Sequence, residues 1–346
     1  MHEIHKHKIT YRNVDSEQTI LQIDYVPYGD YLRTPDLYPS IDDSALDFDK
    51  TYAFIGFSLN QNAVAPVNLD KTLCTDDLVF YALYEQRSVY ENVLDSKYLT
   101  FEPTTYTFST GELPEYNNVE GYTISIAPNV TLSGKITLPI YWEGKGTLNP
   151  GPVVKIDGFG GDYGGANITH IFFEQETQER KNKVRQICIE AFKNCSSLRY
   201  IEMPPTLRRI EQQAFWNCSS LVSGDFTSKI YFMGKKAFWG TFSGSPNDYI
   251  EVTLGGDLTS IVATEPLFNY CSGKIHTLTI GSPTNPCKLN TQFNFGQVIS
   301  RQNTGFDIEE VIIYYDGTPE RESYINNLID ISAFGGANVT PVNINA

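Results

Sequence analysis

AFKNCSSLRYIEMPPTL, residues 191–207, and AFWNCSSLVSGDFTSKI, residues 214–230, align without a gap. The offset between the two stretches is 23 residues, and Ala237-Phe238 begins a third copy at the same offset. Several identities at one fixed offset indicate an internal repeat. A period of about 20 to 29 residues is typical of solenoids, in which each unit buries its apolar face by stacking on the next.

The repeat predicts which side chains face the interior. We expect each unit to supply a short strand and a short helical or 3₁₀ turn. Phe192, Phe215 and Phe238 occupy one slot of successive units, so they should form a stacked aromatic ladder. The other side chains expected to point inward are Leu198, Ile201, Leu207 and Ile210.

Cys195 and Cys218 occupy equivalent slots of neighbouring units. Neighbouring strands lie about 4.8 Å apart, so the two Cα atoms fall within the range of a disulfide. Their side chains should point in parallel, however, which favours two small buried apolar residues over a bond.

An ordered set of residues carries a family resemblance. The pattern Ile-x-x-x-Ala-Phe-x-x-Cys-Ser-x-Leu-x-x-Ile-x-x-Pro runs through Ile187, Ala191, Phe192, Cys195, Ser196, Leu198, Ile201 and Pro204. It resembles the BspA-like leucine-rich-repeat family over residues of about 130–320. Thr241 replaces the Cys in the third copy, and Ile156 and Phe159 fill the Ile and Phe slots of a degenerate earlier coil. The resemblance implies surface recognition or attachment without catalysis, and it transfers no functional residues to this chain.

The N-terminal region has a different pattern. Alternating apolar and polar residues and turn signals predict strands from residue 8 to about 86. The motifs Phe54-Ile55-Gly56-Phe57 and Tyr81-Ala82-Leu83-Tyr84 resemble those of the Listeria–Bacteroides repeat of the internalin B type. This resemblance implies a β-grasp-like module that acts as a spacer or a presenting element. We expect Phe54, Phe57, Tyr81 and Leu83 to form its core, and Gly56 to mark a bend or a close backbone approach.

Composition supports a mainly β protein. The 22 Tyr, 20 Phe, 26 Gly and 18 Pro among 346 residues favour strands and turns over long helices. We predict three parts. Residues 1–86 form the β-grasp-like module, residues 87–118 a linker or irregular β segment, and residues 119–346 a leucine-rich-repeat solenoid with short helical turns and caps.

The charge of the chain excludes some partners. A formal net charge of −15 disfavours binding to nucleic acid, because phosphate backbones are repelled. No stretch approaches the roughly 20 apolar residues needed to cross a bilayer. The polar N-terminus has no apolar h-region, so we expect no secretory signal peptide.

The cysteine, histidine and acidic residues form no recognisable catalytic, cofactor or metal site in the sequence. None of the six Cys forms a CxxC pair, and His2, His5 and His7 lack the spacing of a zinc motif. The glycine-rich stretch 157–165 lacks the Lys-Ser/Thr of a phosphate-binding loop and is expected to be a turn between coils. Glu190 and Glu211 are the carboxylates considered for a carbohydrate-active enzyme, and we expect both to be solvated.

Aromatic residues outside the predicted core are the candidate binding residues. Trp216 and Trp239 each follow the core Phe, so they should lie on one edge of the solenoid. Together with Tyr200 and Tyr231 they are predicted to form an aromatic patch that contacts a protein or a glycan. The alternative is that these rings pack on the adjoining domain or on a partner subunit.

These observations predict a non-enzymatic protein, without a cofactor, that attaches to a surface molecule. The first hypothesis is a bacteriophage fibre or decoration protein on the virion surface. It would bind a protein or glycan of the host, or other virion proteins, and homo-oligomers are expected because appendages are often symmetric. The alternatives are a bacterial cell-surface adhesin whose leader is absent from the sequence, and a carbohydrate-active enzyme.

Overall fold

The computed structural model confirms the mainly β fold class. It describes residues 6–15, 18–35, 39–40, 42, 46–47, 50–63, 65–107, 118–226, 230, 232–242, 250–255, 260–261, 274–287, 307–330 and 337–346. Most of the buried apolar residues in these ranges belong to two clusters. The smaller cluster draws on the N-terminal strands, and the larger one runs from Leu94 to the C-terminal region.

The N-terminal strands form one mixed sheet. They are β1 (Lys6–Arg12), β2 (Ile20–Pro27), β3 (Lys50–Ser58) and β4 (Leu78–Ser88). The order is β2-β1-β4-β3, with β1 and β4 parallel in the centre and both outer pairs antiparallel. The β-grasp-like assignment and the resemblance to the internalin B type of repeat stay predictions.

The core of this sheet is built around Tyr11, whose ring lies 4.9 Å from that of Phe57 and 5.7 Å from that of Phe80. Phe57 belongs to the cluster and Phe54 packs against it, as expected. Leu83 is buried but lies outside this cluster, because it points to the opposite face of β4 from Phe80 and Ala82. The expectation for Tyr81 was wrong, because strand alternation sends Phe80 and Ala82 of β4 into the cluster and leaves Tyr81 half-buried on the other face.

Gly56 confirms the expected close backbone approach. Its φ is +136°, and the register between β3 and β4 shifts between Phe54 and Gly56. A Cβ at this position would lie 2.5 Å from Cβ of Pro66. Only glycine combines this backbone conformation with this contact.

The remaining strands follow in chain order. They are β5 (Leu99–Tyr106), β6 (Val119–Ile126), β7 (Ser133–Leu138), β8 (Tyr141–Trp142), β9 (Gly151–Ile156), β10 (Asn167–Phe173), β11 (Gln186–Ile187), β12 (Tyr200–Ile201), β13 (Arg209–Ile210), β14 (Ser223–Phe226), β15 (Phe232–Met233), β16 (Ile250–Leu254), β17 (Ser260–Ile261), β18 (Lys274–Ile280), β19 (Asp307–Tyr315) and β20 (Asn338–Asn343). In the described part of the chain, the α-helix α1 (Pro319–Asp330) lies between the last two strands.

These strands form three sheets of stacked coils. One sheet has the order β17-β15-β13-β11-β9-β6-β5, and all of these strands except β5 run parallel. The short strand β8 pairs antiparallel with β9. The parallel sheets β12-β10-β7 and β14-β16-β18-β19-β20 complete the solenoid. Within the described ranges, no helix has the length and apolar character needed to span a membrane.

The segment between the two regions contributes regular structure. β4 ends at Ser88, and 3₁₀ turns follow at Val89–Glu91 and Ser96–Tyr98. β5 then pairs with β6, so residues 99–106 extend the solenoid sheet, which fits the β alternative rather than a linker. Residues 108–117 lie outside the described part of the chain, and the three domain boundaries stay predictions.

Lys135 of β7 joins the N-terminal region to the solenoid. Only 6% of its surface is exposed, and its Nζ donates to the carbonyls of Lys50 at 2.7 Å and Asp47 at 3.3 Å. Ser40 Oγ and Ser133 Oγ share a second hydrogen bond of 2.6 Å. A buried ammonium is tolerated when oxygen acceptors replace its hydration, so this contact fixes the chain at the start of β3.

The repeat builds the solenoid core as the 23-residue step predicts. The rings of Phe192 and Phe215, and those of Phe215 and Phe238, are stacked with centroids 5.3 Å apart. Phe159 extends the ladder at 5.9 Å from Phe192, and Ile156 pairs in register with Ile187, which confirms the degenerate coil. The inward residues are also confirmed as buried, namely Leu198, Ile201, Leu207 and Ile210.

The cysteine slot has a hydrogen-bonding role that continues in the third copy. Cys195 and Cys218 are buried and unpaired, and burial raises the pKa of Cys195 to about 12, so its thiol stays protonated. The two thiols donate to the carbonyls of Phe159 at 3.0 Å and Phe192 at 3.1 Å. Thr241 occupies the next slot, and its hydroxyl donates to the carbonyl of Phe215 at 2.6 Å.

We expect Thr241→Val to lower the free energy of unfolding by about 1 kcal/mol, since the buried carbonyl of Phe215 loses its donor. Thr241→Cys restores the residue of the earlier copies and should cost less, within about 0.5 kcal/mol of the wild type. Urea unfolding followed by tryptophan fluorescence measures both. Equal losses in the two variants would contradict a hydrogen-bonding role for this slot.

Candidate functional site

The turns that follow the core Phe residues stack in step and form a ridge along the solenoid. The N–H of Phe192 donates to the carbonyl of Ala214 at 2.8 Å, and the N–H of Phe215 donates to that of Ala237 at 2.8 Å. Because the same bond recurs in each coil, a residue at one position of the turn lies directly beside its equivalent in the next coil.

A ladder of asparagine residues stabilises the stacked turns of this ridge. Asn194 and Asn217 have φ values of +63° and +57°, and Gly240 takes the same place with φ +66°. Asn and Gly are the residues that adopt this left-handed conformation most readily. The Nδ2 of Asn217 donates to Oδ1 of Asn194 at 3.1 Å, so the two side chains also bond coil to coil.

The candidate site lies on the same ridge. Trp216 and Trp239 are half-buried, and their rings are stacked with centroids 5.3 Å apart and planes inclined by 23°. The Nζ of Lys236 lies 4.3 Å from the ring of Trp239, and that of Lys193 lies 5.7 Å from the ring of Trp216. Ammonium groups over indole faces are attracted by the ring quadrupole. We call these four residues the tryptophan ridge.

The structure brings together two of the four predicted patch residues. Trp216 and Trp239 are in contact, whereas Tyr200 lies on β12 with its ring 5.7 Å from Phe172 and 6.3 Å from His170. Tyr200 belongs to a strand of the three-stranded sheet, while both tryptophans lie in turns. Tyr231 lies outside the described residues.

Sequence reasoning missed the two lysines of the ridge. Lys193 holds the position after the core Phe that Trp216 and Trp239 hold in the next two coils. The 23-residue step is therefore a signal that could have identified Lys193 as a residue of the ridge. Lys236 lies elsewhere in the repeat unit and comes over the tryptophans only through the fold of its turn, where its φ is +57°.

His170 lies beside Tyr200 in a cluster of mixed character. The ring plane of His170 is stacked on that of Phe172 at 6.3 Å, and Nδ1 is 3.0 Å from the hydroxyl of Thr169. Burial, and then the charges of Lys135 and Arg199, lower the pKa of His170 to about 4. The imidazole is therefore neutral at physiological pH.

The two carboxylates considered for catalysis have structural partners. Glu190 lies 3.0 Å from Nζ of Lys193 on the ridge. The expectation that Glu211 is solvated was wrong: its side chain is 13% exposed and accepts hydrogen bonds from Arg209 and Gln186, both at 2.8 Å. Each carboxylate is thus fixed by its own partner on a different part of a coil.

A small hollow of about 280 Å³ gathers three further carboxylates. Glu202 accepts a hydrogen bond from the N–H of Phe173 at 3.0 Å, and burial raises its pKa. Glu174 and Glu176 accept from the N–H groups of Ile140 at 3.2 Å and Asn182 at 3.1 Å. These bonds replace missing strand partners of the backbone, which is a structural role.

Histidine, cysteine and acidic residues in the described ranges form no group of three or more that could hold a metal ion. His7 lies on β1, where its Nδ1 is 3.2 Å from Oδ1 of Asp77. His2 and His5 lie outside the described residues. The stretch 157–165 is a packed turn, since a Cβ on Gly161 would lie 2.5 Å from the carbonyl oxygen of Asn194 in the next coil.

Comparison with known proteins agrees with the repeat architecture. Residues 167–290 match the model of the BspA type leucine rich repeat region in six copies, which confirms the resemblance over that segment. BspA-like leucine-rich-repeat proteins are generally found on surfaces or outside cells. No curated protein matches the chain.

Two solved structures are among those with some similarity to this chain. A leucine-rich-repeat protein of T. pallidum is 20% identical, with 54% of this chain and 71% of that chain covered and a TM-score of 0.36. A leucine-rich-repeat protein of Bacteroides ovatus is 17% identical, with 64% and 58% covered and a TM-score of 0.32.

The lowered pKa of His170 predicts an acid dependence of stability. The unfolded chain protonates this residue near pH 6.5 and the folded chain near pH 4, so its contribution to the free energy of unfolding falls as the pH drops from 6.5 towards 4. We expect the loss in urea midpoint between pH 7 and pH 5 to be smaller for His170→Asn than for the wild type. An identical loss in both proteins would contradict this assignment.

Proposed function

We propose that this protein is a non-enzymatic recognition protein that attaches to a surface molecule through the tryptophan ridge. The observation that carries the proposal is the stack of two half-buried indoles with the ammonium groups of Lys193 and Lys236 close to the rings. Large aromatic groups held rigidly beside charged groups are the composition of binding hot spots. Because the repeat already aligns these groups, no loop has to become ordered when a ligand binds.

The geometry of the ridge favours a polar ligand. Trp216 and Trp239 cover one face of each other, and Lys193 and Lys236 lie over the stack. A ligand therefore meets indole edges, ammonium groups and the exposed amide of Asn217. Glycans and polar protein surfaces offer the hydroxyls, carboxylates and carbonyls that such groups bind.

We expect the double variant Trp216→Ala/Trp239→Ala to bind intact bacterial cells about tenfold more weakly than the wild type, or worse, because a hot-spot pair is lost. Flow cytometry with the labelled protein measures the binding. Tyr28→Ala is the matched control, since it removes a ring that is 66% exposed in the turn after β2. Thermal unfolding checks that each variant is folded.

The result separates recognition from the packing alternative. If cell binding by the double variant equals that of the control, the ridge is not the attachment surface. If analytical ultracentrifugation shows a wild-type oligomer that dissociates in the double variant, the ridge is a contact between copies of this chain instead.

For the site of display we propose a bacteriophage particle, with the predicted β-grasp-like module of residues 1–86 as the anchor and the solenoid distal. A fibre or decoration protein of a phage would use adhesin-like modules to contact its host. A bacterial cell surface is the alternative, and it uses the same solenoid in the same way.

Fractionation of the native source tests this placement. We expect the chain to co-migrate with intact particles on a density gradient of a lysed culture, as followed by mass spectrometry of each fraction. Recovery only with the cell envelope would replace the phage proposal with that of a bacterial adhesin. The recognition function itself is tested separately by the tryptophan variants.

A further inference from the structure

A second feature suited to binding lies in the N-terminal region, away from the tryptophan ridge. A groove of about 800 Å³ runs between β2 and residues 30–35, with Asp70 also in its lining. The wall opposite β2 is held in place by backbone hydrogen bonds from Leu32 to Thr72 at 2.9 Å and from Cys74 to Asp30 at 2.8 Å. The groove is therefore formed before any ligand arrives.

One side of this groove is an edge strand. β2 is the outermost strand of its sheet and pairs with β1, and among the described residues no further strand pairs with its other side. An open edge presents backbone N–H and C=O groups to any extended segment that comes beside it. The occupant that satisfies these groups is a peptide in strand conformation.

The side chains of the groove add a charge preference. Asp24, Asp30 and Asp70 contribute three carboxylates, and Arg33 contributes one guanidinium. Tyr25 and Tyr31 are 63% and 60% exposed in the same lining, so both rings are accessible to a ligand. Carboxylates together with aromatic rings attract cationic side chains through charge and through cation–π contact.

We propose that this groove binds an extended, lysine- or arginine-bearing peptide segment of a partner protein by strand addition to β2. The backbone of the segment pairs with the edge strand, and its cationic side chains contact the carboxylates and tyrosines of the lining. Through this site the N-terminal region binds a basic partner protein. It does not depend on the tryptophan ridge.

The probe is a fluorescent ten-residue peptide of alternating Lys and Thr. A peptide of alternating Glu and Thr serves as the control of opposite charge. Fluorescence anisotropy with the full chain should show binding of the lysine peptide only, and binding that weakens as salt is raised. Asp24→Asn/Asp30→Asn should weaken it roughly 2- to 30-fold, the effect of two exposed ion pairs. Glu251→Gln, an exposed strand carboxylate of the solenoid, is the matched control and should leave it unchanged.

Backbone methylation of the peptide tests strand addition. Alternate N–H groups of a strand point to the same side, so methylation of one alternate set should abolish binding and methylation of the other set should spare it. Equal effects of the two methylated peptides would overturn strand addition. The proposal as a whole is overturned if neither peptide binds, if both bind equally, or if the Asp24→Asn/Asp30→Asn variant binds as the control does.

Discussion

The stacking of the core Phe rings sets the geometry on which the rest of the solenoid depends. Phe192, Phe215 and Phe238 repeat at 5.3 Å, and this spacing holds neighbouring coils in register. A single coil has too little interior to bury its own apolar residues, so each coil is stable only against its neighbours. The hydrogen bonds from Cys195, Cys218 and Thr241 to backbone carbonyls keep the same register from within the core.

This register also produces the candidate binding surface. Once the core residues of two coils are aligned, the residues that follow them are aligned as well, and two indoles come to lie face to face. The asparagine ladder beside them keeps the turns in a left-handed conformation that few residues tolerate. The surface is rigid because the same bonds that stabilise the core support it.

The N-terminal region is attached to this scaffold through its own specific contacts. The buried ammonium of Lys135 and the pair Ser40–Ser133 connect β7 with the chain before β3. A tyrosine-centred core stabilises the sheet internally, while its outer strand β2 leaves one edge open. The protein thus has two surfaces suited to binding, one on each region, and their chemical characters differ.

Features that recur every 23 residues could be read from the amino-acid sequence. The 23-residue period was enough to place the Phe ladder, the inward Leu and Ile residues and the unpaired cysteines. In a solenoid, residues separated by one repeat length occupy equivalent positions on neighbouring coils, so their side chains point the same way. Contacts between residues far apart in the chain became visible with the folded structure. The fold placed Tyr200 on β12 and the tryptophans in turns, brought Lys236 over the indoles, carried β5 into the solenoid sheet and gave the Thr241 hydroxyl the hydrogen-bonding role of a cysteine thiol. Such contacts depend on how the chain turns between repeats, and that path is fixed by the packing of the whole coil.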